Sequence, residues 1–197
     1  MSPTKKSERK REELLDQGLA LMWERGFNGV SVRDIVQAAG VPKGSFYFYF
    51  DSKDDFALEV LKRYVKSSGK QTQVEEDPNM KSPLARLRKL YEARAKAVGG
   101  DSCRKGCMMV NVANELGASN DELREYIHMT WTQMQEPTKA LVQEAIATGE
   151  IDAKFDAGQL ASFLENSWMG VVTSAKASQD PSELNQAIDF IFDQVLG

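Results

Sequence analysis

Apolar residues at helical spacing run through almost the whole chain, and this pattern constrains its fold more than any other. Segment 8–25 places Leu15, Leu19 and Met22 on one stripe, and the same spacing of three or four residues recurs up to segment 181–196. No stretch alternates apolar and polar residues as a half-buried strand does. The sequence therefore predicts an all-α fold.

Start and stop signals near the amino terminus predict three consecutive helices. Gly26 follows the first apolar stripe and suits the position just past a helix end. Residues 31–34 form a capping-box pattern, which begins a short second helix that ends at Gly40. Pro42 suits the first position of a third helix. Two short helices joined by a tight glycine-bearing turn form a helix-turn-helix.

The remaining chain predicts a second, larger helical region. Residues 67–82 are polar and aperiodic, which indicates a surface loop between domains 1–66 and 67–197. Pro137 falls inside a long helical pattern and predicts a kink there. The later helices are predicted to begin near Ser52, Ser82, Lys105, Ser119, Asp156 and Asp180.

Charge is distributed unevenly along the chain. The net charge is −4, but residues 1–66 hold 12 Lys and Arg against 10 Asp and Glu, whereas the remainder holds 13 against 19. A basic excess at one end favours a nucleic-acid partner for the amino-terminal domain. A solvated basic tail explains the same excess.

Several classes of function are excluded by missing patterns. No run of 18 apolar residues predicts a membrane span, and the charged amino terminus is not a signal peptide. Two cysteines do not make a disulfide framework, so we expect a cytoplasmic protein. His128 is the single histidine. No metal site, cofactor motif or nucleophile–base pair is found, so no enzyme is predicted.

The segment VPKGSFYFYFDSK, residues 41–53, favours DNA recognition by the third helix. Its small residues Gly44 and Ser45 allow the backbone close to base edges, and Lys43 is a donor for guanine or phosphate. Phe46 and Phe50 are four apart and should face the core. Tyr47 should face outward, where its hydroxyl can donate to a phosphate.

Two flanking side chains extend this surface. Lys53 and the N–H groups near Ser52 can hold a phosphate at the start of the fourth helix. Arg33, near the start of the second helix, can reach DNA from the other side. Alternatively, the aromatic run is core only, an interpretation that fits Phe46 and Phe50 better than the tyrosines.

The stretch FNGVSVRDIVQAAGVPKGSFYFYFDSKDDF resembles the amino-terminal domain of the tetracycline-repressor (TetR) family of transcription regulators. The resemblance covers roughly residues 8–66. It implies a homodimer of about nine helices per chain, with a helix-turn-helix domain, a helical effector-binding domain, and a dimer interface formed by the last two helices. Tyr49 departs from the family pattern, which more often has histidine there. The DNA-contacting residues carried over are Ser31, Arg33, Lys43, Gly44, Ser45, Tyr47, Tyr49 and Lys53.

Cys103 and Cys107 mark the second informative stretch. They share a helical face if the segment is helical, and Arg104 and Lys105 would lower a thiol pKa. Residues 104–124 also resemble a subgroup of the same family in which Gly-Cys opens the sixth helix, and whose members respond to electrophiles or small unsaturated acids. Alternatively, both cysteines only fill space in the core.

A ligand pocket is expected among the later helices, lined by aromatic, methionine and a few polar side chains. Such residues at helical spacing also form ordinary core. The pocket candidates are Tyr91, Met108, Asn111, Glu115, Tyr126, Trp131, Phe163 and Trp168, with His128 as a further polar candidate.

The sequence thus predicts a homodimeric repressor that binds a palindromic double-stranded DNA operator and no membrane. A small molecule, or oxidant or electrophile modification of cysteine, would release it. The alternative is a constitutive DNA-binding protein without an effector; an all-α enzyme lacks any supporting residue pattern.

Overall fold

The computed structural model describes residues 5–71 and 79–197, and all regular structure in these ranges is helical. A 3₁₀ turn, Lys43–Ser45, precedes the third helix, and a π-helical turn, Ile191–Val195, follows the last. The prediction of an all-α fold is confirmed. The helices are α1 Lys5–Arg25, α2 Val32–Ala38, α3 Phe46–Tyr49, α4 Lys53–Gln71, α5 Pro83–Gly99, α6 Met108–Leu116, α7 Asp121–Ala147, α8 Ala157–Ser178 and α9 Ser182–Phe190.

Most predicted helix boundaries agree with their local capping contacts. Gly26 ends α1 with a φ of 77°, a conformation that glycine adopts without steric cost. Ser31 and Asp34 form the complete capping box of α2. Ser82 caps α5 with Pro83 at its first turn, and the Asp156 carboxylate accepts the Gln159 N–H at the start of α8.

Two boundaries near the helix-turn-helix differ from the prediction. Pro42 is not the first helical residue: its ψ of 146° is extended, and it precedes the 3₁₀ turn. The fourth helix runs through Gln71, so residues 67–71 are helical and not part of a loop. Residues 72–78 of the predicted loop lie outside the described residues.

Helices α6 and α7 also begin later than predicted. Helix α6 starts at Met108, so Cys103 and Cys107 do not share a helical face. At the start of α7 the Asn120 side chain accepts the Leu123 N–H at 2.9 Å, so Asn120 is the cap in place of Ser119. Helix α7 continues through Pro137, which removes one main-chain hydrogen bond from its middle.

The connection between α5 and α6 contains a left-handed turn. Asp101, Ser102 and Cys103 have φ values of 54°, 51° and 60°. Each L-residue in this conformation costs roughly 1–2 kcal/mol. The turn brings Cys103 into the core, where its side chain is fully buried.

The chain forms two compact units, and each draws on two stretches of sequence. The first combines Met1–Ser67 with Met108–Glu125. Its core includes Leu14, Phe46 and Phe56. Gly18 allows α1 to approach α4 closely, because a Cβ atom at this position would lie 2.2 Å from the Phe56 ring.

The second unit combines Ser68–Cys107 with Tyr126–Gly197. Leu87, Leu164 and Ile188 belong to its core, to which α5, α8 and α9 all contribute. On its surface Arg88 of α5 donates to Asp189 and Asp193, each at 2.5 Å, and so links α5 to the carboxyl-terminal helix. The domain boundary at 66–67 stays a prediction.

None of the described helices carries an apolar segment long enough to cross a lipid bilayer.

Candidate nucleic-acid interface

Buried aromatic rings anchor the short third helix from below. Phe46 is fully buried and Phe50 is nearly so. Their ring centroids lie 5.1 Å and 4.7 Å from that of Phe56 on α4. A four-residue helix has little stability of its own, so this packing fixes its orientation.

The opposite side of this helix faces solvent. Tyr47 is 57% exposed, as predicted, and Phe48 is 75% exposed. Lys43 and Gly44 are exposed on the preceding turn, and Ser45 is half-buried. Phe48 is not among the predicted DNA contacts. The sequence pattern does indicate its exposure, because in a four-residue helix that buries Phe46 the next two residues turn away from the core.

Tyr49 is tied back to the first helix. Its hydroxyl lies 3.0 Å from Ser7 Oγ, within hydrogen-bond distance. The ring is half-buried, and it meets Phe48 edge-on with a centroid distance of 4.9 Å. Tyr49 therefore positions the exposed part of the third helix against α1.

On the second helix, Arg33 and Ser31 have different surroundings. Arg33 is exposed beside the helix start. The Ser31 hydroxyl donates to Asp34 Oδ2 at 2.5 Å, and its oxygen accepts the Asp34 N–H. Hydrogen bonds from the Ser31 side chain and backbone lower the pKa of Asp34. Ser31 thus defines the start of the helix that supports the third.

Lys53, which the sequence predicts to hold a phosphate, is half-buried and packs within the first unit. Its Nζ donates to the Phe27 carbonyl at 2.6 Å and lies 3.9 Å from the centroid of the Phe27 ring. Burial lowers the pKa of Lys53. The ammonium therefore holds the turn between α1 and α2 onto the start of α4.

Glu115 of α6 holds the same turn from its other side. The carboxylate accepts the N–H groups of Phe27 at 3.1 Å and Asn28 at 2.8 Å. Nearby, Asn120 Nδ2 donates to Asp54 Oδ2 at 3.1 Å. Glu115 therefore positions the turn of the helix-turn-helix within the first unit. Its predicted place in a ligand pocket stays a prediction.

The other predicted pocket residues are divided between the two units. Met108 is buried and Asn111 half-buried on α6 of the first unit. In the second unit, Tyr91 and Trp168 are buried with centroids 5.4 Å apart, Tyr126 and Trp131 are half-buried, and Phe163 is 60% exposed. His128 is also exposed.

The cysteines differ from the expectation of two activated thiols. Burial raises the pKa of the Cys103 thiol, as do the carboxylates of Asp180 and Glu183, so flanking cations do not lower it. Cys107 is half-buried and directly precedes α6. Of the two, Cys107 is the less buried residue.

In the part of the chain that the structure describes, no three His, Cys, Asp or Glu side chains form a group that could hold a metal ion.

Both parts of the chain match known protein families. Residues 14–60 match the model of bacterial regulatory proteins of the tetR family, and residues 83–191 match the model of the tetracyclin repressor-like C-terminal domain. The two matches leave no large segment of the described helices unassigned.

Individual relatives agree with these matches. The chain is 33% identical to the transcriptional regulator AcuR of Cereibacter sphaeroides over 174 residues, which cover 88% of this chain and 80% of that protein. It is 30% identical to the transcriptional repressor DhaR of Mycobacterium sp. strain GP1 over 186 residues, 94% of this chain and 92% of that one. A crystal structure of a regulatory protein from Rhodobacter sphaeroides superposes with a TM-score of 0.80 at 32% identity, covering 92% and 95% of the two chains.

Proposed function

Because this chain belongs to the TetR family of bacterial regulatory proteins, it is a DNA-binding transcriptional regulator and not an enzyme. We propose that it represses transcription as a homodimer on a palindromic operator, and that a small molecule releases it from the DNA. The exposed surface over α2 and α3, anchored by buried Phe46 and Phe50, is the observation that carries this proposal.

This surface contacts DNA through base-edge and phosphate donors. Lys43, Gly44 and Ser45 enter the major groove at the amino-terminal end of the third helix. The Tyr47 hydroxyl and Arg33 contact phosphates, which sets register without reading sequence. Phe48 lies beside Tyr47, where its ring can meet thymine methyl groups. Tyr49, Ser31 and Lys53 support this surface through the contacts described above. They also lie close to the DNA backbone that Tyr47 and Arg33 contact.

Dimerisation through α8 and α9 places two such surfaces on one duplex. Phe163 on α8 and Phe190 on α9 are each about 60% exposed in the single chain. A contiguous exposed apolar patch marks an interaction surface, and these two side chains are our candidates for part of one. Two-fold symmetry then matches a palindrome whose half-sites lie one helical turn apart, roughly 34–36 Å.

Repression is supported by the relative from Mycobacterium, which is named a transcriptional repressor. Release requires an effector that binds one spacing of the two DNA-reading surfaces better than another, because a ligand shifts an equilibrium only by its differential affinity. A second route is covalent, at the half-buried Cys107 thiol. The thiol adds across the C=C bond of an electrophilic alkene: one C–S bond forms as the π bond breaks, and the thiol proton passes to the neighbouring carbon. A two-electron oxidant such as a peroxide would instead convert the thiolate to a sulfenic acid, which a reductant reverses. Cys103 is the buried second cysteine.

Fluorescence anisotropy with DNA flanking the protein's own gene tests the operator proposal. Lys43→Ala should weaken operator binding and relax sequence specificity at the base pair that Lys43 contacts. Lys154→Ala, an exposed lysine of the second unit paired with Asp152, serves as the matched control and should leave binding unchanged.

The same titration with an oxidant and then a reductant, or with an electrophilic alkene alone, tests the covalent route. Loss of binding in the wild type but not in Cys107→Ser would support it. If Lys43→Ala and Lys154→Ala bind the operator equally well, the assigned surface is wrong. If no small molecule or thiol reagent changes binding, the protein is a constitutive DNA-binding protein.

A further inference from the structure

Among the described residues, Phe48 has the most exposed large apolar side chain, at 75%. A single exposed apolar residue is ordinary on a protein surface, so this exposure alone assigns no function. The position of Phe48 is more informative. It lies on the third helix, which Phe46 and Phe50 fix to the core through their contacts with Phe56.

The helical turns around Phe48 place it beside the residues assigned to base edges. The backbone is helical from Lys43 to Tyr49, first as a 3₁₀ turn and then as α3. Residues three or four apart share a helix face, so Phe48 lies on the face of Gly44 and Ser45. Nothing lies within 4 Å of the place that a Cβ atom at Gly44 would take. The phenyl ring therefore extends beyond its two small neighbours on this face.

The ring of Phe48 is also supported from one side. Tyr49 meets it edge-on, with a centroid distance of 4.9 Å and an interplanar angle of 89°. The Tyr49 hydroxyl in turn lies 3.0 Å from Ser7 Oγ on α1. A side chain that is already held in place loses less conformational entropy when it meets a partner. Phe48 is therefore suited to recognise a small group at a defined position.

The chemistry of a phenyl ring limits what Phe48 can recognise on DNA. The ring has no hydrogen-bond donor or acceptor for phosphates or polar base edges. In the major groove, the C5-methyl group of thymine is the apolar group that distinguishes one base pair from the others, and phenylalanine is among the residues that contact it. Sugars are present in every nucleotide, so a contact with them carries no sequence information.

We propose that Phe48 is a specificity-determining residue of this regulator: its ring packs on the C5-methyl group of one thymine in each operator half-site and so selects T·A at that position. This inference rests on the proposed DNA-binding surface and names one chemical group that the surface recognises. The polar contacts of the same helix belong to Lys43 and Tyr47, and Phe48 supplies the apolar contact.

Replacing thymine with uracil tests this proposal, because it removes the methyl group and keeps every hydrogen-bonding atom of the base pair. The operator from DNA flanking the protein's own gene is prepared with deoxyuridine at each thymine in turn. Fluorescence anisotropy then measures its affinity for the full chain. At one position in each half-site, uracil should weaken binding about fourfold, the value of one buried apolar carbon.

The variant Phe48→Ala identifies the residue that detects the methyl group. It should bind the thymine and uracil operators equally well, whereas any effect of the methyl group on duplex flexibility would persist in the variant. Tyr47→Phe is the matched control: it should bind both duplexes more weakly and keep the fourfold ratio. Because Phe48 is largely exposed, Phe48→Ala should unfold at the same urea concentration as the wild type.

Cytosine methylation gives a second measurement of the same contact. In an operator with C·G at the selected position, 5-methylcytosine should bind the wild type about fourfold more tightly than cytosine, since it restores one apolar carbon at the same place. The methyl group should have no effect on binding by Phe48→Ala.

A thymine-to-uracil ratio that persists in Phe48→Ala would assign the effect to DNA shape or to another residue, and would overturn the proposal. Equal affinity of the wild type for all the uracil operators would also overturn it, because the ring would then contact sugars alone. In both cases the wild type still binds its operator and the proposed function stands. If the wild type binds none of the flanking DNA, the proposed function fails and this inference fails with it.

Discussion

At the residue scale, Gly26 combines two constraints that can be measured apart. Its φ of 77° disfavours any side chain, and a Cβ atom would lie 2.6 Å from Glu115 Oε1. Gly26→Ala should therefore strain the backbone and also displace the Glu115 carboxylate from the Phe27 and Asn28 N–H groups, and both effects destabilise the fold. We expect a loss of about 2–4 kcal/mol in the free energy of unfolding, measured by urea denaturation.

Gly40→Ala supplies the comparison for this prediction. Gly40 also has a positive φ, 64°, but nothing lies within 4 Å of the place its Cβ would take. It should lose only the strain contribution, roughly 1–2 kcal/mol. Equal losses at the two glycines would mean that the Glu115 contact contributes nothing to stability.

The two thiols give a second prediction at this scale. Cys103 is fully buried, and burial raises its pKa, so little thiolate is present and little reagent can reach it. Cys107 is half-buried. Iodoacetamide should therefore label Cys107 first, as read by mass spectrometry of the native protein, and both thiols should react in denaturant. Labelling of Cys103 at the same rate as Cys107 under native conditions would contradict the burial argument.

At the scale of elements, the cap of α2 predicts both a stability and a pH effect. Ser31→Ala removes the hydroxyl from the capping box and should cost about 1 kcal/mol of unfolding free energy. The pKa of Asp34 is lower in the folded state than in the unfolded state, where it is near 3.8. The ionised carboxylate therefore stabilises the folded protein above pH 3.8, and this stabilisation is lost as the pH falls through the folded-state pKa. The difference between Ser31→Ala and wild type should therefore shrink in acid. A difference that stays constant from neutral pH to acid would exclude this linkage.

Elements also show where prediction from sequence succeeds. The caps at Ser31, Ser82 and Asp156 are local, so the sequence alone locates them. The predicted start of α7 is wrong by one residue. Ser119 and Asn120 can both cap a helix, and the folded chain uses Asn120. The role of Glu115 could not be predicted, since its partners lie 87 and 88 residues away in sequence. The buried ion pair of Arg94 and Glu165 depends on α5 and α8 packing together and was missed for the same reason.

At the scale of the whole molecule, the proposed dimer predicts a change in mass on a single substitution. Phe190→Glu replaces the exposed phenylalanine at the end of α9 with a charge and should convert the proposed dimer to monomers, measured by sedimentation equilibrium. Operator affinity should fall with it, because one chain contacts only one half-site.

Phe48→Glu controls for the effect of a charge on an exposed phenylalanine. Phe48 is 75% exposed, on the third helix of the first unit. This variant should lose operator binding through repulsion from phosphates but remain a dimer. A dimeric Phe190→Glu protein would move the interface away from α9.

The composition of the first unit limits how this regulator can be recombined with others. The DNA-binding unit is not one continuous segment of sequence, since Met108–Glu125 belongs to the same unit as Met1–Ser67. A chimera joined only at residue 67 would transfer the DNA-binding helices without Glu115, whose carboxylate binds the turn between α1 and α2. A chimera that also carries residues 108–125 brings Glu115 and Asn120 with it. Exchange of operator specificity between relatives should therefore need two crossovers, and single-crossover hybrids should unfold more readily than either parent.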